Sequence, residues 1–280
     1  MAPECEKLSP RQQQLLAQWL PGAIVERDHS WGLVQSTVLE ATWGGSRFIV
    51  KAGGEQNHHL ARELHAHHHW LRPWTSRGRA PVLVHGDLEA KLLVTTYLPG
   101  ELVRESDHLD DPSVYRQAGA LLAELHSQLV VTDDDYEQRE NARALAWLNG
   151  PHRIEPDIVE RLRAEIATWP ISPAAVVPTH GDWHPRNWLI HDGVVYAIDF
   201  GRAALRAAAT DFARLASREF RRNPDLERAF LEGYGTDPRQ PEVWRRIRVR
   251  EAIGTAAWAY QVGDEQFEAH GHRMLAEVLE

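Results

Sequence analysis

A break at residues 97–101, "YLPGE", separates two textures of sequence, and this contrast limits the folds open to the chain. Pro99 and Gly100 punctuate the backbone there. Upstream, "GLVQSTVLEATWGGSRFIVKAG" has β-branched runs around Gly44-Gly45, a two-glycine turn signal. It predicts a β-hairpin whose second strand runs from Arg47 to Lys51. "APVLVHGD" and "AKLLVTTYL" predict two more strands. "SPRQQQLLAQWLPG" predicts a short opening helix, with Ser9 as N-cap and Pro10 at the first helical position. Leu60, Leu64 and Leu71 fall at helical spacing and predict a helix over 55–71 that ends before Pro73.

Downstream of the break the period becomes helical. Val114, Ala118, Leu121, Leu122 and Leu125 lie on one side of a predicted amphipathic helix. Helical patterns also fit 137–148, 156–168, 208–221, 224–233, 241–262 and 265–279. These textures predict an α+β, bilobal chain: a small β-rich N-lobe over 1–96, a hinge over 97–101, and a larger, mainly helical C-lobe over 102–280. A length of 280 residues suffices for two lobes with a substantial buried core.

Composition narrows the class. No apolar run approaches the roughly 18 to 20 residues of a membrane-spanning helix. The start, "MAPECEKLSPRQQQ", lacks an apolar signal core, so the expectation is a cytoplasmic protein with no membrane partner. Cys5, the single cysteine, can form neither an internal disulfide nor a cysteine-based zinc site. Net charge is −9 and unevenly spread: residues 1–100 carry 10 Lys/Arg and 9 Asp/Glu, residues 101–280 carry 21 and 31. An acidic C-terminal part repels nucleic acid and attracts a cationic small molecule; acidity serving solubility alone is the other reading.

The chemistry concentrates in "THGDWHPRNWLIHDGVVYAIDFG", residues 179–201. His180-Gly181-Asp182 is followed by four residues and Asn187, and twelve residues later by Asp199-Phe200-Gly201. The intervening "WLIHDGVVYAI" suits a hairpin turning at Asp192-Gly193, which brings Asn187 and Asp199 side by side. Phosphoryl transfer asks a protein to position phosphates, hold magnesium through hard oxygen ligands and orient the attacking hydroxyl. Protein kinases do so with H-R-D, four residues, N, and a later D-F-G. By that pattern Asp182 accepts the proton of the substrate hydroxyl, while Asn187 and Asp199 hold Mg2+ against the nucleotide phosphates.

"HGDWHPRN" with "AIDFG" resembles the catalytic core of the aminoglycoside phosphotransferase and choline-kinase-like family, which has a protein-kinase-like fold. The resemblance extends over about residues 24–235. "FIVKAG" is similar to the family's strand with a phosphate-binding lysine, here Lys51, and Glu63 matches the glutamate that pairs with it. "LLVTTYLPGE" is similar to the inter-lobe hinge, whose backbone around Thr96 and Leu98 would bind the nucleotide base. Asp211 resembles a family aspartate that supports the catalytic loop. Two departures stand out: the nucleotide-covering segment "DHSWGLVQS" has only Gly32, and Arg186 stands where many members have glycine.

Other readings compete with parts of this one. His65 and His69 form an i, i+4 pair able to share a metal, or a solvated histidine-rich surface. His180, Asp182 and His184 fit a zinc hydrolase, which leaves Asn187, Asp199 and the N-terminal half unexplained. Trp31, Trp43, Trp183, Trp188 and Trp258 are core or stacking residues, with Trp183 the best candidate to face an acceptor. The resemblance implies an ATP- or GTP-dependent, Mg2+-requiring phosphotransferase acting on a hydroxyl. The acidic C-terminal part favours a cationic antibiotic, an aminoglycoside or a basic cyclic peptide such as capreomycin or viomycin. The alternatives are a metabolic kinase for choline, a sugar or an amino acid, and an inactive kinase-like binding module.

Overall fold

The structure is a computed structural model that describes residues 7–30 and 36–280. Cys5, Trp31 and Gly32 lie outside the described residues. The chain opens with helix α1 (Pro10–Trp19), set by a capping box between Ser9 and Gln12 and by Pro10 in its first turn. Strands β1 (Ile24–Asp28), β2 (Ser36–Trp43) and β3 (Ser46–Gly53) follow, then helices α2 (His59–His69) and α3 (Arg72–Thr75). Strands β4 (Leu83–Asp87), β5 (Leu92–Thr96) and β6 (Glu101–Leu102) lead to α4 (Pro112–His126). Next come β7 (Val131–Asp133), α5 (Tyr136–Asn149), α6 (Pro156–Ala167), β8 (Ala174–Thr179), β9 (Trp188–His191), β10 (Val194–Ala197) and β11 (Ala204–Arg206). Helices α7 (Ala213–Ser217), α8 (Glu219–Arg222), α9 (Pro224–Tyr234), α10 (Pro241–Val262) and α11 (Glu265–Leu279) complete a bilobal, protein-kinase-like α+β fold, β-rich toward the N-terminus and helical toward the C-terminus.

Two predicted helices differ in detail. The helix placed at 55–71 starts at His59, because the Asn57 side chain accepts from the N–H groups of His59 and Leu60 and caps the first turn. The span 208–221 is broken into a 3-10 turn (Ala208–Phe212), α7 and α8, with Arg218 at φ −129°, ψ −82° between the last two. The short strands β6, β7, β8 and β11 sit where the texture reads as mostly helical.

The chain forms two compact units that interleave along the sequence. One comprises Met1–Gln128, His180–Ala204 and Asp225–Gly235; the other comprises Leu129–Thr179, Leu205–Pro224 and Thr236–Glu280. In the first, a five-stranded sheet has the order β1-β2-β3-β5-β4, and every neighbouring pair is antiparallel. Alternation along β3 and β5 sends Val50, Ala52, Leu92 and Val94 into a core with Leu15, Leu16 and Leu20 of the α1 region. Leu93 points the other way and packs with Leu60 and Leu64 of α2. Each such buried aliphatic side chain contributes roughly 1.5–3 kcal/mol relative to exposure. Lys51 alternates with Val50 and Ala52 and therefore lies on the α2 face of the sheet.

In the same unit β10, β9 and β6 form a three-stranded sheet. The β9–β10 hairpin turns at Asp192-Gly193, with φ of 49° and 71°, the two left-handed residues of a type I′ turn. In the second unit α10 packs along α11 and α5. Ala144, Leu148, Leu162, Ile253 and Leu275 are buried in one cluster there. Beside it, the buried Glu137 carboxylate takes Arg250 at 2.6 Å and Arg246 at 3.2 Å.

Candidate active site

Lys51 Nζ donates to Glu63 Oε1 at 2.7 Å and reaches Asp199 Oδ1 at 3.3 Å. The three residues come from β3, α2 and the turn after β10, all in the first unit. Glu63 is buried, whereas the Asp199 side chain is 53% exposed. Burial pulls the Lys51 ammonium toward neutrality, but the charges of Asp199 and then Glu63 outweigh it and raise its pKa. The charge of Lys51 in turn holds the Asp199 carboxyl below its ordinary value, against the charge of Asp182. Glu63 is raised, because burial and the negative charge of Asp199 exceed what Lys51 returns. One ammonium shared by two carboxylates leaves a negative charge uncompensated, and the nearby Asp182 adds to it. That is a field suited to a dication.

Asp182 and Asn187 belong to one loop that bonds mostly to itself. Gly181 has φ +77°, a left-handed conformation that glycine adopts without a side-chain penalty. His180 is fully buried. Its Nε2 bonds the Ile198 carbonyl at 3.0 Å, and its Nδ1 accepts from the Asp182 N–H at 3.3 Å. Those partners require the neutral tautomer with the proton on Nε2. Both ring nitrogens are engaged, so His180 is a brace of the loop and not a zinc ligand. Asn187 donates from Nδ2 to the Asp182 carbonyl at 2.8 Å, which leaves its Oδ1 as the acceptor that can turn to a cation. The Asn187 backbone carbonyl accepts from Ile198 N–H at 3.0 Å and ties this loop to the start of the Asp199 turn.

Asp199 has φ +65°, uncommon for a residue with a side chain and costing about 1–3 kcal/mol. The residues present suit magnesium. Asp199 and Asn187 offer two hard oxygen ligands, and among the described residues no group of three or more His, Cys, Asp or Glu is arranged as a metal cage. Two protein oxygens leave places for phosphate oxygens and water, the usual way magnesium is held.

Thr96 and Leu98 follow β5. Thr96 donates its N–H to the Val82 carbonyl at 2.9 Å and Tyr97 donates to Arg47 O at 3.1 Å, whereas Leu98 N–H has no acceptor among the described residues. Asp211 is buried in the 3-10 turn before α7. Arg186 is half-buried beside Asn187.

Trp183 does not face an acceptor. It is 1% exposed and packs against Trp74 at 5.6 Å, His180 at 5.1 Å and Trp188 at 5.3 Å. Its large apolar ring gains more from that core than from solvent. The exposed His65 and His69 rings lie 4.4 Å apart on α2.

Two contacts are absent from the sequence reading. His184, buried, places Nε2 3.2 Å from Asp182 Oδ1. His59 donates from Nδ1 to the Gly201 carbonyl at 2.9 Å. Its position four residues before Glu63 was the only sequence signal.

Residues 25–249 match the profile described as the phosphotransferase enzyme family. The chain belongs to that family. A search of curated proteins found no matching sequence. Among solved structures, the phosphotransferase is similar to aminoglycoside phosphotransferase APH(4)-Ia, with a TM-score of 0.70 at 12% identity, over 99% of this chain and 98% of that one. It is similar to choline kinase LicA from Streptococcus pneumoniae (TM-score 0.66, 15% identity, 95% and 96% covered). It is also similar to macrolide 2'-phosphotransferase MphH from Brachybacterium faecium (TM-score 0.61, 20% identity, 94% and 96% covered). At such identities the likeness shows a shared fold. No helix of the phosphotransferase among the described residues is long and apolar enough to cross a membrane.

Proposed function

We propose that this phosphotransferase moves the γ-phosphoryl group of ATP or GTP to a hydroxyl of a small cationic molecule in the cytoplasm. The observation that carries the reading is the convergence of Lys51, Glu63 and Asp199 within 3.3 Å of one ammonium, beside the loop that bears Asp182 and Asn187. Lys51 orients the nucleotide phosphates and Glu63 holds Lys51. The backbone at Thr96 and Leu98 receives the base, an assignment supported by the Leu98 N–H, which has no acceptor among the described residues. The nucleotide side lies in 1–96, the hinge in 97–101 and the acceptor side in 102–280.

Asn187 Oδ1 and the Asp199 carboxylate would hold magnesium, which would supply positive charge to offset the negative charge that develops during transfer. Asp182 takes the proton of the acceptor hydroxyl as its oxygen bonds to the γ-phosphorus and the bond to the β-phosphate oxygen breaks, releasing the nucleoside diphosphate. His180 keeps the Asp182 backbone in place throughout.

The acceptor is a cationic antibiotic, an aminoglycoside or a basic cyclic peptide such as capreomycin or viomycin. The support is the acidity of residues 101–280 and the fold shared with antibiotic phosphotransferases. Part of that acidity is engaged locally, since Asp111 caps α4 and Asp133 pairs with Arg139. The test is nucleotide turnover with Mg2+ across basic antibiotics, choline and sugars, beside Asp182→Ala. Diphosphate release stimulated by a basic antibiotic and lost in the variant supports the reading. Turnover on choline or a sugar alone makes the protein a metabolic kinase, and absence of nucleotide binding removes the kinase reading.

A further inference from the structure

We propose that His59 is a positioning residue for the Asp199 turn: α2 uses it to hold the Gly201 carbonyl and thereby sets where the Asp199 carboxylate meets a metal ion. The proposal rests on the reading of Asp199 as a magnesium ligand.

His59 and Gly201 are 142 residues apart, yet Nδ1 and the carbonyl oxygen are separated by 2.9 Å. A carbonyl only accepts, so His59 carries its proton on Nδ1 toward Gly201. The approach is close, since a Cβ built on Gly201 would stand 3.1 Å from His59 Cβ. The histidine backbone is itself fixed, because its N–H donates to Asn57 Oδ1 at 2.9 Å.

The contact belongs to a series. His59, Glu63 and His67 are four residues apart and share one face of α2. Glu63 accepts the backbone N–H of Phe200, and the His67 ring meets the Phe200 ring edge-on at 5.6 Å. Three successive turns of one helix therefore touch Phe200 and Gly201, the two residues after Asp199. Asp199 keeps φ +65°, and such a conformation persists only where its surroundings hold it. The carboxylate gets direct support from Lys51 alone among these contacts. The His59 bond supplies the backbone anchor on the far side of Phe200. Groups that orient a metal ligand without touching the metal change affinity by about 10- to 100-fold when removed.

The experiment measures ADP affinity by calorimetry with EDTA and across a Mg2+ titration, for wild type, His59→Leu, His59→Asn and Asp199→Asn. Asparagine can place an N–H donor where His59 Nδ1 stands; leucine cannot. We expect His59→Leu to bind ADP normally in EDTA and to need about 10- to 100-fold more Mg2+ for half-maximal tightening. His59→Asn should return the requirement to within a few-fold of wild type. A wild-type Mg2+ requirement in His59→Leu, with Asp199→Asn having lost its own, overturns the proposal and leaves His59 a packing residue. Mg2+ dependence preserved in Asp199→Asn overturns the metal reading itself. Should His59→Leu not fold, His59→Ala decides, since it too lacks the Nδ1 donor to the Gly201 carbonyl. A raised Mg2+ requirement there supports the proposal, and an unchanged one overturns it.

Discussion

Lys51 Nζ lies 3.3 Å from Asp199 Oδ1, although 148 residues separate the two, and the same ammonium lies 2.7 Å from Glu63. Lys51→Met removes the cation and leaves Glu63 buried opposite Asp199. We expect kcat/KM for the nucleotide to fall at least about 100-fold, as for loss of one preorganised electrostatic group. The stability loss should also depend on pH. Glu63, already raised, is raised further without Lys51, so its ionisation opposes folding and the variant loses more stability at pH 8 than at pH 5. Urea denaturation at the two pH values checks this.

Asp182→Asn keeps the shape of the loop and removes the proton acceptor. Turnover should drop by about 100- to 10,000-fold while nucleotide affinity stays near wild type. Single-turnover kinetics with the best acceptor, paired with ADP calorimetry, separates the two quantities.

His184 Nε2 holds Oδ1 of Asp182 at 3.2 Å. His184→Ala removes this positioning contact on the carboxylate and should lower kcat by up to about 100-fold, with nucleotide KM little changed. A donor restored in His184→Gln should recover part of the loss. Equal kcat in His184→Ala and wild type would make the contact incidental.

Two half-buried histidines set an acid limit. Burial first, and neighbouring cations second, lower His67 to about 3 and His270 to about 4 from 6.5. Between those values and 6.5 the unfolded chain binds more protons than the folded one. Stability is therefore full above about pH 6.5 and declines as pH falls toward 4. The buried Nε2 of His67 has no hydrogen-bond partner among the described residues, so His67→Leu should flatten this decline and gain about 1 kcal/mol at pH 7. Thermal melts from pH 4 to 8 measure both.

Gly119 of α4 faces the backbone of α9, and a Cβ there would collide with the Phe230 carbonyl and come within 2.9 Å of Tyr234 N. Gly119→Ala should cost about 1–3 kcal/mol, as overpacking does, and be visible in the urea midpoint. Nucleotide affinity of the folded fraction should be unaffected.

The sequence alone determined whatever is encoded over short range. Ser9 and Pro10 start α1, and Asp192-Gly193 turns the β9–β10 hairpin because both positions take left-handed φ. That hairpin spans the twelve residues from Asn187 to Asp199, so the approach of the Ile198 and Asn187 backbones was legible from spacing. Lys51 and Glu63 were legible through a family resemblance, since nothing local says that β3 and α2 will face each other. Only the tertiary structure decided the rest. The break near Arg218, the inward turn of Trp183, the His184–Asp182 contact and the His59–Gly201 bond depend on what packs against each residue. Local sequence fixes a side chain's period along its own element, while partners 142 residues away are chosen by the burial of the whole core.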